Sequence, residues 1–133
     1  MSALSNTFEL SVLDHLFNNV ALTSPTTVYL GLFTSDPTDA GSGTEVSTSG
    51  TAYARQAISF AAASSGAVTT DADITFPTAT AAYGTVSHIA IFSSVSGAAS
   101  TDMIAHGSLD NSKAIDSGDT FVVTAGNLTV SLD

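Results

Sequence analysis

Two periodicities divide the chain. In "NTFELSVLDHLFNNV", residues 6–20, the apolar residues Phe8, Val12, Leu13, Leu16, Phe17 and Val20 recur at steps of three and four, the spacing of one helical face. Asn6 is placed to cap the first turn, with Glu9 three residues on reaching back to complete a capping box. Asn18 and Asn19 weaken the end, and Ser24, held extended by Pro25, stops the helix. The stripe is expected to pack on the chain's own body, because leaving it exposed makes a large apolar patch.

After Pro25 the period falls to two. "TVYLGLF" sets Val28, Leu30 and Leu32 on one face, and "YARQAISF" sets Ala54, Gln56, Ile58 and Phe60 opposite Tyr53, Arg55, Ala57 and Ser59. Further strands are predicted at "AVTT" with "ADITF", "TVSHIAIF", "DMIAHGSL", "TFVVT" and "NLTVSLD", separated by turn-rich spacers such as "ASSG" and "DSGD". Many short strands at this spacing predict a mainly β fold, an antiparallel β-sandwich or jelly-roll-like domain with one N-terminal helix. The predicted domain is a single unit over 1–133, with the helix at 6–20, the sandwich at 26–133 and a bare polar loop at 34–52. A loop of that length inside a compact domain is usually functional or disordered, and it is expected to reach an adjacent subunit.

Composition narrows the function classes. Two basic residues, Arg55 and Lys113, face twelve acids, giving a formal charge of −10 that repels phosphate backbones and anionic lipid surfaces. Nucleic acid and membrane are therefore not expected partners. With no cysteine there are no disulfides, thiolate metal sites or thiol nucleophiles. The start carries neither the basic segment nor the apolar run of a secretion signal, so synthesis in a cytoplasm is expected. Exposed strand positions carry Thr, Ser and Ala where Lys commonly guards sheet edges. Either partner subunits cover the edges or the net charge alone keeps the chain apart.

Candidate chemistry is sparse. His15, His88 and His106 show neither HxxxH nor HxH spacing and read as hydrogen-bonded structural residues. The acids of "TTDADIT", "IDSGDTF" and the long loop offer oxygens to calcium, but without an EF-hand pattern they read as turn formers. There is no GxSxG elbow and no phosphate loop, so no catalytic residue, metal or cofactor is expected, and the chain is read as not an enzyme. Arg55 stands mid-strand beside Tyr53 in an acidic chain. It is expected to pair with a carboxylate or stack on an aromatic ring, and that partner lies either in the same chain, fixing the long loop's return, or in another chain as an interface anchor. The residues leave both open.

The stretches "VYLGLFTSDPTDAGSGTEV", "YARQAISF", "ITFPTATAAYGTVSHIAIF", "SKAIDSGDTF" and "AGNLTVSLD" resemble a family of small virion proteins of tailed bacteriophages, often labelled tail or tail-fibre proteins. In size and inferred architecture the chain is also similar to the β-sandwich cement proteins that decorate phage heads, a likeness of fold alone. The resemblance implies a virion protein without catalytic residues. The leading expectation is a capsid decoration protein that binds the major capsid protein on the outer head and forms a homo-oligomer in the assembled particle. The alternative is a tail, baseplate or fibre-associated structural protein that contacts other virion proteins, or a receptor or glycan by stacking on Tyr53 or Tyr83. Thr34, Asp36, Asp39, Glu45, Tyr53 and Arg55 are the candidate interface residues.

Overall fold

The computed structural model describes residues 3–132. Its scaffold is one antiparallel five-stranded sheet in the order β1-β7-β6-β2-β3, built from Ala3–Leu4 (β1), Val28–Phe33 (β2), Gln56–Ile58 (β3), Gly84–Phe92 (β6) and Met103–Ile115 (β7). Two short antiparallel ribbons complete the β structure: Ala67–Thr69 (β4) with Thr129–Ser131 (β9), and Ile74–Thr75 (β5) with Val122–Val123 (β8). The fold is mainly β with an N-terminal helix, as the periodicity predicts. A second layer of this kind, two ribbons rather than one continuous sheet, is what very short strands separated by turns can build.

Alternation accounts for the core. Leu30 and Leu32 of β2, Val86, Ile89 and Ile91 of β6, and Ile115 of β7 join Ile74, Phe76, Tyr83 and Leu128 from the ribbon side in one buried cluster. The residues between them face the other way. Phe33, Ala90, Phe92 and Met103 form a second buried cluster, with Phe33 and Phe92 stacked at a centroid distance of 6.1 Å. The central strands β2 and β6 are thus covered on both faces, which is why they read as nearly continuous apolar runs.

The second face is covered largely by the segment predicted to be a bare loop. Residues 34–46 fold back as a strap. The Thr34 amide donates to the Thr44 carbonyl at 2.9 Å, the Val46 amide to the Leu32 carbonyl at 2.9 Å, and the Asn6 amide to the Asp39 carbonyl at 3.0 Å. Pro37 is fully buried. Gly41, at φ +69°, lies so close to the backbone of Ala99 that a Cβ would come within 2.5 Å of its carbonyl carbon; no other residue fits there. Ala99 begins a short helix, Ala99–Asp102 (α2), which the periodicity does not announce. These contacts hold the strap to its own chain, so the segment is ordered rather than structureless, and 47–50 form an exposed tip.

The long helix runs from Asn6–Phe17 (α1). Ser5, not Asn6, is its cap: the Ser5 hydroxyl accepts from the Phe8 amide at 3.3 Å and donates to the Met103 carbonyl, tying the helix start to β7. Asn19 adopts a left-handed φ of +56° and the Val20 amide reaches back to the Asp14 carbonyl at 3.2 Å, a closed helix end instead of a frayed one. The expected packing of the apolar stripe is overturned. Phe8 and Val12 are half-buried, whereas Leu13, Leu16 and Phe17 are exposed, and no residue of α1 is fully buried. The interior of the body is already filled by the strap and ribbons.

Ser5 is 2% exposed and serves two bonds, so Ser5→Ala removes a cap and strands a buried carbonyl. A loss of about 1–2 kcal/mol is expected in chemical denaturation, with the β signature unchanged.

Candidate functional site

The densest polar constellation lies beneath the strap's exit. Arg55 precedes β3 and its side chain is 5% exposed. Its Nε donates to Glu45 Oε1 at 2.8 Å and one terminal nitrogen to Glu45 Oε2 at 2.7 Å, a bidentate pair. The same nitrogen donates to the Gly97 carbonyl at 2.9 Å, and the other to the Ser94 carbonyl at 3.0 Å. The guanidinium carbon sits 3.4 Å from the centroid of the Phe92 ring, a cation–π contact. Of the five guanidinium N–H groups, four are bonded within the chain.

Tyr53 completes the network. Its hydroxyl donates to Glu45 Oε1 at 2.7 Å and accepts from the Leu32 amide at 3.0 Å. Burial, and then the Glu45 charge, push the phenol far above its ordinary range, because ionisation would place a second anion in a dry site. Gly31 makes the room: a Cβ there would meet the Phe92 ring at 2.7 Å and Glu45 Oε1 at 3.1 Å. An open cleft of about 650 Å³ lies beside the network, with Ser47, Thr48, Val95 and Ser96 on its walls. Its charged floor is neutralised by its own partner, and both Glu45 oxygens are engaged. Its chemistry is that of a fixed, hydroxyl-rimmed surface.

The remaining candidates lie apart. Asp39 and Asp36 meet His106, with its Nε2 at 2.9 Å from Asp39 and its Nδ1 at 3.8 Å from Asp36, so the strap is also held to β7. Thr34 bonds Thr44 through both its amide and its hydroxyl. Of the six candidate interface residues, Glu45, Tyr53 and Arg55 converge, Asp36 and Asp39 form a second cluster, and Thr34 joins neither. Arg55 takes the first of its two roles, fixing the loop's return. Asp36 and Asp39 keep 58% and 50% of their side chains exposed.

His88 meets Ser87, and His15 lies against the backbone just past α1. Asp119 accepts the Asp116 amide at 2.9 Å, the turn role expected of these acids, whereas Asp73 accepts the amide of Ala125 at 2.8 Å, a tie between segments remote in sequence. Among the described residues no three His, Asp or Glu side chains converge as metal ligands do. Tyr53 and Tyr83 are 3% and 5% exposed, so neither offers a face for a sugar to stack on. That expectation is corrected: both rings are edge-to-face in the core at 5.7 Å.

A family model described as podophage GP4 fiber I protein gp80 matches residues 3–131. The chain belongs to that family. No curated protein matches it. Membership in the gp80 fibre family makes the chain a structural component of a phage virion, associated with the fibre or tail. It supports the alternative expectation and gives no support to head decoration. Among the described residues no helix is long and apolar enough to cross a membrane.

Sequence reasoning expected a carboxylate or an aromatic ring against Arg55, and Glu45 and Phe92 supply both, though it named neither residue as the partner. The acceptors at Ser94 and Gly97 are backbone carbonyls and leave no mark in a sequence. Gly31 does leave one, since a glycine inside an apolar strand signals close approach of another group.

Removing one member of a desolvated ion pair is far worse than removing both. Arg55→Met is expected to cost about 3 kcal/mol, and adding Glu45→Leu to recover part of it, in a double-mutant denaturation cycle. Tyr53 adds a pH signature. Its folded value is raised above the unfolded one, so its stabilisation is complete below about pH 10 and is lost as pH rises further, when only the unfolded chain ionises. Tyr53→Phe is expected to flatten this alkaline decline in pH-dependent melting, at a cost of about 1–2 kcal/mol near neutrality for the Leu32 amide left unpaired.

Proposed function

We propose that the chain is a non-catalytic structural module of the phage tail fibre, working by assembly with other virion proteins. The family match over residues 3–131 carries this reading. The geometry supports it: the most elaborate polar site is closed on itself, with Arg55, Glu45 and Tyr53 consumed in holding the strap. Such a network suits a rigid body that must keep its shape under load more than a site that must bind and release. The formal charge of −10 disfavours contact with packaged DNA and suits an outer position on the particle.

Quantitative mass spectrometry of purified virions, referenced to the major capsid protein, tests the assignment. A fibre module is present in a small multiple of the tail's symmetry. A copy number matching the capsid lattice would overturn the fibre reading and restore the head.

A further inference from the structure

Helix α1 is apolar on two sides. Phe8 and Val12 rest half-buried against the body, while Leu10, Leu13, Leu16 and Phe17 are 64%, 51%, 65% and 76% exposed, and Val20, just past the cap, 52%. A helix apolar all round ordinarily belongs in an interior, and one of about 12 residues is marginal in water without packing. The body of the chain covers only the inner side.

The charges around the uncovered row have one sign. Glu9 stands one turn before Leu13, and Asp14 one turn after Leu10, the spacing at which side chains meet on a helix surface. Both acids are exposed. Asp39 lies at the foot of the helix, where its carbonyl accepts the Asn6 amide at 3.0 Å, and Asp36 and Asp39 keep half or more of their side chains exposed. No Lys or Arg occurs in residues 1–54, and Arg55 is held by Glu45. His15, the one basic side chain of α1, meets the backbone at Val20 and Leu22. An apolar row with this border repels a second copy, which brings the same acids, and an anionic lipid surface as well. It attracts a partner that brings cations.

The spacing of the row gives the partner's form. Leu10, Leu13, Phe17 and Val20 follow one another in steps of three, four and three, the steps by which one helix presents anchors to another apolar element. We infer that α1 is the docking surface for a helix of a different protein, apolar on one face and bordered there by Lys or Arg. The inference goes beyond the fibre reading, which names no partner, and does not rest on it. A patch of this length makes an interface at the small end of the specific range, so the affinity expected of a single copy is micromolar.

Two synthetic amphipathic helical peptides with the same leucine row, one flanked by Lys and the other by Glu, are the probes. Each is titrated calorimetrically against the full chain at about 50 and 500 mM salt. The expected result is micromolar binding of the Lys-flanked peptide alone, weakened severalfold by salt and severalfold by Glu9→Gln with Asp14→Asn, which leaves every apolar residue in place. Leu13→Glu with Phe17→Glu is expected to abolish binding with unchanged β circular dichroism. Asp110→Asn, beyond the middle of β7, is expected to leave it as it was, which separates docking on α1 from a general attraction to an acidic chain. Equal binding of the two peptides, or none, overturns the inference, as does binding that survives the Leu13, Phe17 variant. Binding that fades as the chain is concentrated gives the row to a second copy, and adsorption to zwitterionic vesicles that the Leu13, Phe17 variant loses gives it to a lipid surface; either result overturns it. The titration uses protein in solution, so its failure is distinct from a failed copy number in the virion.

Discussion

One buried ion pair closes this structure. Arg55 joins three segments that are remote in sequence: the strap through Glu45, its own approach to β3, and the turn after β6 through the carbonyls of Ser94 and Gly97. An acidic chain with two strong cations commits one of them, desolvated, to an internal bond. Desolvation offsets much of the attraction in such a pair, so its value lies in selecting one arrangement. The guanidinium fork, the Phe92 face and the Tyr53 hydroxyl admit one position of the strap. The strap in turn covers Phe33 and Phe92, and without that cover the second face of the sheet would be open to water.

The body that results is inwardly satisfied, and its surface handles strand edges without lysine. The five-stranded sheet ends in β1, of two residues, and in β3, of three. Short edges offer little template for unwanted pairing, a geometric protection that the Ser- and Thr-rich surface has beside its net charge. Against this closed body α1 stands out, since its Leu10, Leu13, Leu16 and Phe17 are all exposed.

Much of this was legible from residue order alone. Alternation placed β2, β6 and β9, and the three- and four-residue steps placed α1. What periodicity could not decide was direction: with apolar residues on two sides, the helix gave no sign that Phe8 and Val12 would turn inward while Leu13 and Phe17 turned out. The segment 34–52 read as structureless because its order rests on backbone bonds and on His106, sixty-seven residues from Asp39, neither of which has a local signature. Glu45 stood among the candidates, but its pairing with Arg55 depends on the vacancy at Gly31, a property of the fold.

The placement of β1 has a consequence in time. Ala3 and Leu4 pair with His106 and Ala105, and Ser5 bonds the carbonyl of Met103, so the first described residues are fixed by a strand that emerges late from the ribosome. Contacts this distant in sequence form slowly, and until they do α1 lacks both its cap anchor and its inner packing. A short helix in that condition is only fractionally formed. The helix is therefore fully ordered only in chains whose sheet is already complete.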